Sequence, residues 1–227
     1  MRAMGQRVTF PSNAHTGQGY LAGPPSSKGP AVVVIQEWWG IVPHIEDVVE
    51  RFAREGFLAI APDLYHGKTT KSPDDAQKMV MELDVDRAVA EIIGAGNYLL
   101  QRPECTSKQY GVVGFCMGGG LAQFAAVNDT NVGAAVSFYG GFKKVVTDWE
   151  KLSAPLILIY GEDDKGVPAD KGRELGAKLQ KMGKNAEVVI YPHAQHAFFN
   201  DTRPEVYNAE AAADAWKRTV ELFRRAL

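Results

Sequence analysis

Cys116 stands in the run Gly114-Phe115-Cys116-Met117-Gly118, which closes one apolar stretch and opens another with helical character. This is the spacing of a nucleophile elbow, with cysteine in place of serine. A sharp strand-to-helix turn forces strained backbone angles on the nucleophile, and the flanking glycines let neighbouring chain approach closely. The helix N-terminus that follows sets its dipole and free N–H groups beside the sulfur, which favours the thiolate. The Met117 N–H is then a candidate oxyanion donor. The plain alternative is a small buried cysteine at a strand end; its place between a clean strand and a helix favours chemistry. Cys105, in the loop-like stretch 103–107, has no such setting and reads as incidental.

An elbow nucleophile needs a base and an orienting acid, in the chain order nucleophile, acid, histidine. The segment 155–160 runs into Gly161-Glu162-Asp163-Asp164, and 186–191 runs into Pro192-His193-Ala194-Gln195-His196. Both sit where strands end, which is where parallel sheets build their sites. Asp163 and Asp164 are adjacent, so only one faces the histidine, and aspartate after a strand is also a common turn former. His193 and His196 compete for the base, and spacing does not choose between them. As a metal pair, H-x-x-H belongs on a helix with an intervening glutamate; here it follows a strand, so no metal is expected.

The first buried segment, 31–36, leads into Glu37-Trp38-Trp39-Gly40. The loop after such a strand supplies the second oxyanion donor in elbow sites, which assigns it to the Trp38 N–H. Glu37 is a carboxylate at the end of an apolar strand. It reads either as a surface residue or, with two tryptophans forming an apolar wall, as a candidate proton acceptor.

These residues must be positioned by elements whose pattern is plain. Five runs, 31–36, 57–61, 111–115, 133–138 and 155–160, are apolar at consecutive positions, as in strands covered on both faces. A sixth, 186–191, is β-branched. Between them lie helical patterns. Residues 44–54 place Ile45, Val48, Val49 and Phe52 on one stripe, ended by Gly56. Residues 84–100 place Val85, Ala88, Val89, Ile92 and Ile93 together behind an Asp84 N-cap. A helix over 119–127 follows the elbow, and Pro168 opens another through Met182, closed by Gly183. The last, 208–227, carries Trp216, Val220 and Phe223 on its apolar side. Residues 7–22 suit an edge hairpin. The alternation predicts an α/β fold: a mostly parallel central sheet flanked by helices on both faces, in one domain over 1–227.

Composition narrows the class. With 25 Lys and Arg against 27 Asp and Glu, and no long basic run, nucleic acid is not an expected partner. The longest apolar runs are too short for a bilayer, and residues 1–6 show no leader pattern. Two cysteines without a leader point to a reducing cytoplasm, not a disulfide framework. A monomer or small homo-oligomer acting on a small molecule is expected, with no membrane and no cofactor. The Gly67-Lys68-Thr69 tail of a phosphate loop fails because residue 62 is proline. The stretch Met79 to Met81 reads as core packing.

Over residues 8 to 225 the chain resembles the dienelactone hydrolase family of the α/β-hydrolase fold. The resemblance rests on Gln36-Glu37-Trp38-Trp39-Gly40, Ala61-Pro62-Asp63-Leu64-Tyr65, Gly114-Phe115-Cys116-Met117-Gly118-Gly119, Tyr139-Gly140, Gly161 to Asp164 and His196-Ala197-Phe198. It implies Asp164 as the acid and His196 as the base. It also implies that the resting thiol is neutral and turned toward Glu37, which takes its proton when substrate displaces the carboxylate. The implied reaction is attack of Cys116 on a lactone or ester carbonyl, an acyl-enzyme, and release of a carboxylic acid by water.

Two arginines that hold the substrate carboxylate in the family have no counterpart here. The stretch after Tyr65 is His66-Gly67-Lys68, and Phe198 is followed by Phe199-Asn200, with Arg203 the nearest cation. Lysine is not a bidentate carboxylate fork, so dienelactone itself is one substrate among several. The expected substrate contacts are Trp39, Tyr139, Phe198, Phe199 and Lys68, an aromatic site that suits a short ester or another lactone. The competing reading is a non-catalytic or redox-sensing protein in which Cys116 oxidises and Cys105 resolves it. Acyl transfer to an alcohol is a third.

Overall fold

A computed structural model describes residues 5–227; positions 1–4 of the stretch read for a leader lie outside them. One eight-stranded sheet runs in the order β1-β2-β4-β3-β5-β6-β7-β8, where β1 is Gln6–Ser12, β2 His15–Ala22, β3 Gly29–Ile35, β4 Leu58–Pro62, β5 Cys105–Phe115, β6 Val132–Phe138, β7 Leu156–Gly161 and β8 Ala186–Tyr191. The helices are α1 (Pro43–Arg54), α2 (Pro73–Glu82), α3 (Val85–Leu100), α4 (Met117–Asn128), α5 (Ala169–Lys181) and α6 (Ala209–Ala226). This is the expected α/β fold. Among the described residues no helix is long and apolar enough to cross a membrane. The chain divides into two compact units, Met1–Val112 with Leu227, and Val113–Ala226.

In the first unit the edge hairpin pairs Gln6 with Leu21 through Ser12 with His15, and β2 pairs antiparallel with β4. The β3–β4 pair is parallel. Ala31 to Ile35 are fully buried, as the unbroken apolar run requires. On α1, Ile45, Val48, Val49 and Phe52 are all fully buried. Each such side chain contributes about 1.5–3 kcal/mol over leaving it in water. Asp84 does cap α3, accepting the Arg87 N–H at 3.1 Å. The buried stripe of α3 is rotated from the expected one: Ala88, Glu91, Ile92, Ala95 and Leu99 face inward, while Val85, Val89 and Ile93 are only half-buried.

Two expectations are corrected here. Cys105 begins β5 and does not sit in a loop. The outer half of that strand alternates polar and half-buried positions, so it lacks the apolar run used to find its inner half. Residues 73–82 form α2, which buries only Ala76; Met81 is 70% exposed, so this segment is not core.

In the second unit β6, β7 and β8 are parallel, registered Ala135 to Leu156 and Leu156 to Ala186. The helix α4 is apolar on all sides and almost wholly buried. Pro168 caps α5, and Gly183 leaves it with φ +67°. Asn208 caps α6 by accepting the Ala211 N–H at 3.1 Å. On α6, Val220 and Phe223 are buried and Trp216 is half-buried.

Candidate active site

The elbow forms as its sequence requires. Cys116 lies between β5 and α4 with φ +57° and ψ −118°, a conformation that L-residues avoid. Its N–H donates to Phe138 O at 3.0 Å, and its carbonyl accepts from Gly119 at 3.0 Å, Gly120 at 3.3 Å and Gly141 at 3.4 Å. The strained residue is thus tied through both backbone groups. A methyl group on Gly114 would overlap the Gly118 carbonyl. Gly114→Ala should therefore push the start of α4 away and destabilise the protein by about 1–3 kcal/mol, with a matching loss of activity. A thermal melt at the wild-type temperature would contradict this.

The structure sets the members of each adjacent pair apart. Asp164 is buried whereas Asp163 is exposed. Asp164 Oδ2 accepts the His196 Nδ1–H at 2.7 Å. Its Oδ1 accepts the Gly166 and Val167 N–H groups, each at 2.8 Å. Both oxygens are occupied, so the carboxylate has one orientation. The Gly166 and Val167 donors escaped the sequence reading; the turn-forming Asp-Lys-Gly run was the available signal. His193 is exposed, with φ +56°.

His196 has Cys116 as a second side-chain partner. Burial disfavours its charged form, but hydrogen bonds to Asp164 and Cys116 outweigh this, and the imidazole pKa is pushed up to about 10. At neutral pH the ring is imidazolium, held between carboxylate and sulfur. Met117 heads α4 directly after the nucleophile.

Behind the histidine lies an aromatic cluster. The Tyr139 ring is 4.9 Å from the His196 ring and 5.6 Å from Phe198. Phe199 stacks on Phe115 at 5.3 Å and contacts Phe138 at 5.0 Å and Trp216 at 6.1 Å. Tyr139, Phe198 and Phe199 were expected to touch substrate, but all three are almost fully covered by protein. This corrects the expectation: the rings pack behind the site. Tyr139 adopts φ +39° and Ala197 φ +64°, so backbone strain gathers around His196 and Cys116.

In the first unit, Glu37 is buried just past β3. Trp38 and Trp39 are half-buried, with rings 4.9 Å apart. Gly40, at φ +89°, backs this loop onto the Lys68–Thr69 backbone, and Thr70 N–H donates to Trp39 O at 3.1 Å. Of the cations considered for a substrate carboxylate, His66 bonds Glu91 at 2.8 Å and Lys68 is exposed. The third, Arg203 of the second unit, bonds Glu205 at 2.9 Å.

The two cysteines are both free: Cys105 begins β5, and Cys116 follows its last residue. Eleven strand residues span roughly 33 Å, against the 7 Å limit for a disulfide, so Cys105 is not a resolving partner for Cys116.

Comparison with known proteins places the chain. The model of the dienelactone hydrolase family matches residues 18–227. "Protein usf" of Aquifex pyrophilus is 37% identical over 99% of this chain and 100% of its own. The "Putative carboxymethylenebutenolidase" of Aquifex aeolicus is 35% identical over 97% of this chain and 98% of its own. The crystal structure titled "Putative Dienelactone Hydrolase" from Klebsiella pneumoniae superposes with TM-score 0.88 at 29% identity, covering 98% of both chains. The chain is a carboxylic ester hydrolase of the dienelactone hydrolase family.

Proposed function

We propose that the protein hydrolyses a small ester or lactone through an acyl-enzyme on Cys116, working as a single domain over 1–227. The observation that carries this is His196, held at 2.7 Å by a buried Asp164 and facing the strained elbow cysteine. The Cys116 sulfur bonds to the carbonyl carbon, and the C=O electron pair moves onto oxygen. The N–H groups of Trp38 and Met117 stabilise that oxyanion. As the pair returns, the C–O bond to the leaving group breaks and His196 delivers the proton to it. Water then attacks the thioester, gives its proton to His196, and the C–S bond breaks to release the acid. Glu37, as the family resemblance implies, takes the thiol proton when substrate enters. A site of this kind needs no cofactor, metal, nucleic acid or membrane, and a reducing cytoplasm would keep the thiol active.

Trp39 and Lys68 remain as substrate contacts. His66 and Arg203 are engaged by Glu91 and Glu205, so neither is poised to take a substrate carboxylate. Neutral p-nitrophenyl esters and carboxylate-free lactones should therefore turn over at least as fast as carboxylated lactones. A strong preference for the carboxylated members would place a cation in the site. No turnover across the whole panel would sink the hydrolase reading.

A further inference from the structure

We propose that Gln123 is a positioning residue for the His196–Cys116 pair; this rests on the catalytic reading above. Gln123 lies seven residues past the nucleophile on α4 and is 8% exposed. Its Nε2 donates to Ser137 Oγ, fully buried near the end of β6, at 2.8 Å. Its amide also bonds the side chain of Tyr160, which is buried near the end of β7. A primary amide has two N–H donors, enough for both partners. One side chain therefore pins α4, β6 and β7 at a single point.

That point underlies the chain corner that brackets the nucleophile. A methyl group on Gly119 would lie 2.7 Å from Gly140 Cα, 2.8 Å from Phe138 O and 3.0 Å from Ser137 Oγ. One on Gly140 would lie 2.8 Å from the Gly119 carbonyl carbon and 2.9 Å from Gln123 Nε2. The corner 138–141 thus rests on the first turn of α4, with the Gln123–Ser137 bond directly beneath it. The same corner accepts the Cys116 N–H through Phe138 O and donates to the Cys116 carbonyl through Gly141. Between those two bonds sits Tyr139, held at φ +39° by an N–H bond to Ile159 O at 2.6 Å, with its ring on His196. An apolar residue at 123 would fill the space, but only directional bonds fix the angle of the corner. Gln123 thereby sets where the Tyr139 ring stops His196, and so the placement of the imidazole between Asp164 and Cys116.

Gln123→Met keeps the chain length and removes both donors. Turnover of p-nitrophenyl acetate by this variant should show kcat reduced about ten- to a hundredfold, with KM within twofold. The His196 ring, followed by NMR titration, should become easier to deprotonate than in the wild type. A lowered melting temperature with wild-type kcat and wild-type His196 titration would show a merely structural role and overturn the proposal. If Gln123→Met does not fold, Ser137→Ala, which removes one bond only, is measured in the same way, and wild-type values in it overturn the proposal. Cys116→Ala serves as the control: its retaining turnover would fell the catalytic reading, while the His196 titration still reports on Gln123 alone.

Discussion

Cys116→Ala should lower p-nitrophenyl acetate hydrolysis by at least about ten-thousandfold, since it removes the atom that forms the bond. The fold should survive, because alanine is smaller and the backbone bonds of residue 116 to Phe138, Gly119 and Gly141 do not involve the sulfur. Circular dichroism and the melting curve separate loss of chemistry from loss of structure. Cys116→Ser should recover little, because a hydroxyl is a far weaker nucleophile than a thiol and gives up its proton less readily to a carboxylate such as Glu37. Equal rates in wild type and Cys116→Ala would remove the cysteine from the mechanism.

Asp164→Asn should cost about a hundred- to ten-thousandfold in kcat, through loss of the imidazolium and of its orientation. Asparagine can still accept from His196, but it cannot also stabilise a positive ring. The backbone donors Gly166 and Val167 lose a charged acceptor. The same variant should change how stability depends on pH. His196 has a folded-state pKa raised to about 10 from an ordinary 6.5. The folded state therefore binds the extra proton between these values, and stability falls as pH rises through that window. The contribution is complete below about pH 6.5 and gone above about pH 10. Urea midpoints across this range should decline more steeply in the wild type than in Asp164→Asn. Parallel pH profiles would show that the Asp164–His196 bond does not raise the imidazole pKa.

The chain order of Cys116, Asp164 and His196 was legible because the first two follow unbroken apolar runs and the third a β-branched one. The choice of Asp164 over Asp163 was not readable from spacing, since adjacent residues share one pattern and only burial distinguishes them. The family resemblance named Asp164 and His196, and these are the two side chains that share the 2.7 Å bond. Tyr139, Phe198 and Phe199 misled for the opposite reason. Aromatic residues beside catalytic ones fit a pocket wall and a core equally well, and here they are core. The outer half of β5 was missed because its alternation follows a strand with one exposed face. The Gln123–Ser137–Tyr160 group spans α4, β6 and β7, so no local pattern joins its members. A glutamine and a serine in otherwise apolar elements were the trace it left, since buried polar groups require partners.

The covalent intermediate on Cys116 can be trapped. Rapid acid quenching of the enzyme turning over p-nitrophenyl acetate, followed by peptide mass analysis, tests it most directly. An added acetyl group is expected on the peptide containing Cys116, absent from Cys116→Ala and longer-lived in Asp164→Asn. Steady turnover with no acyl group on that peptide at any quench time would contradict it.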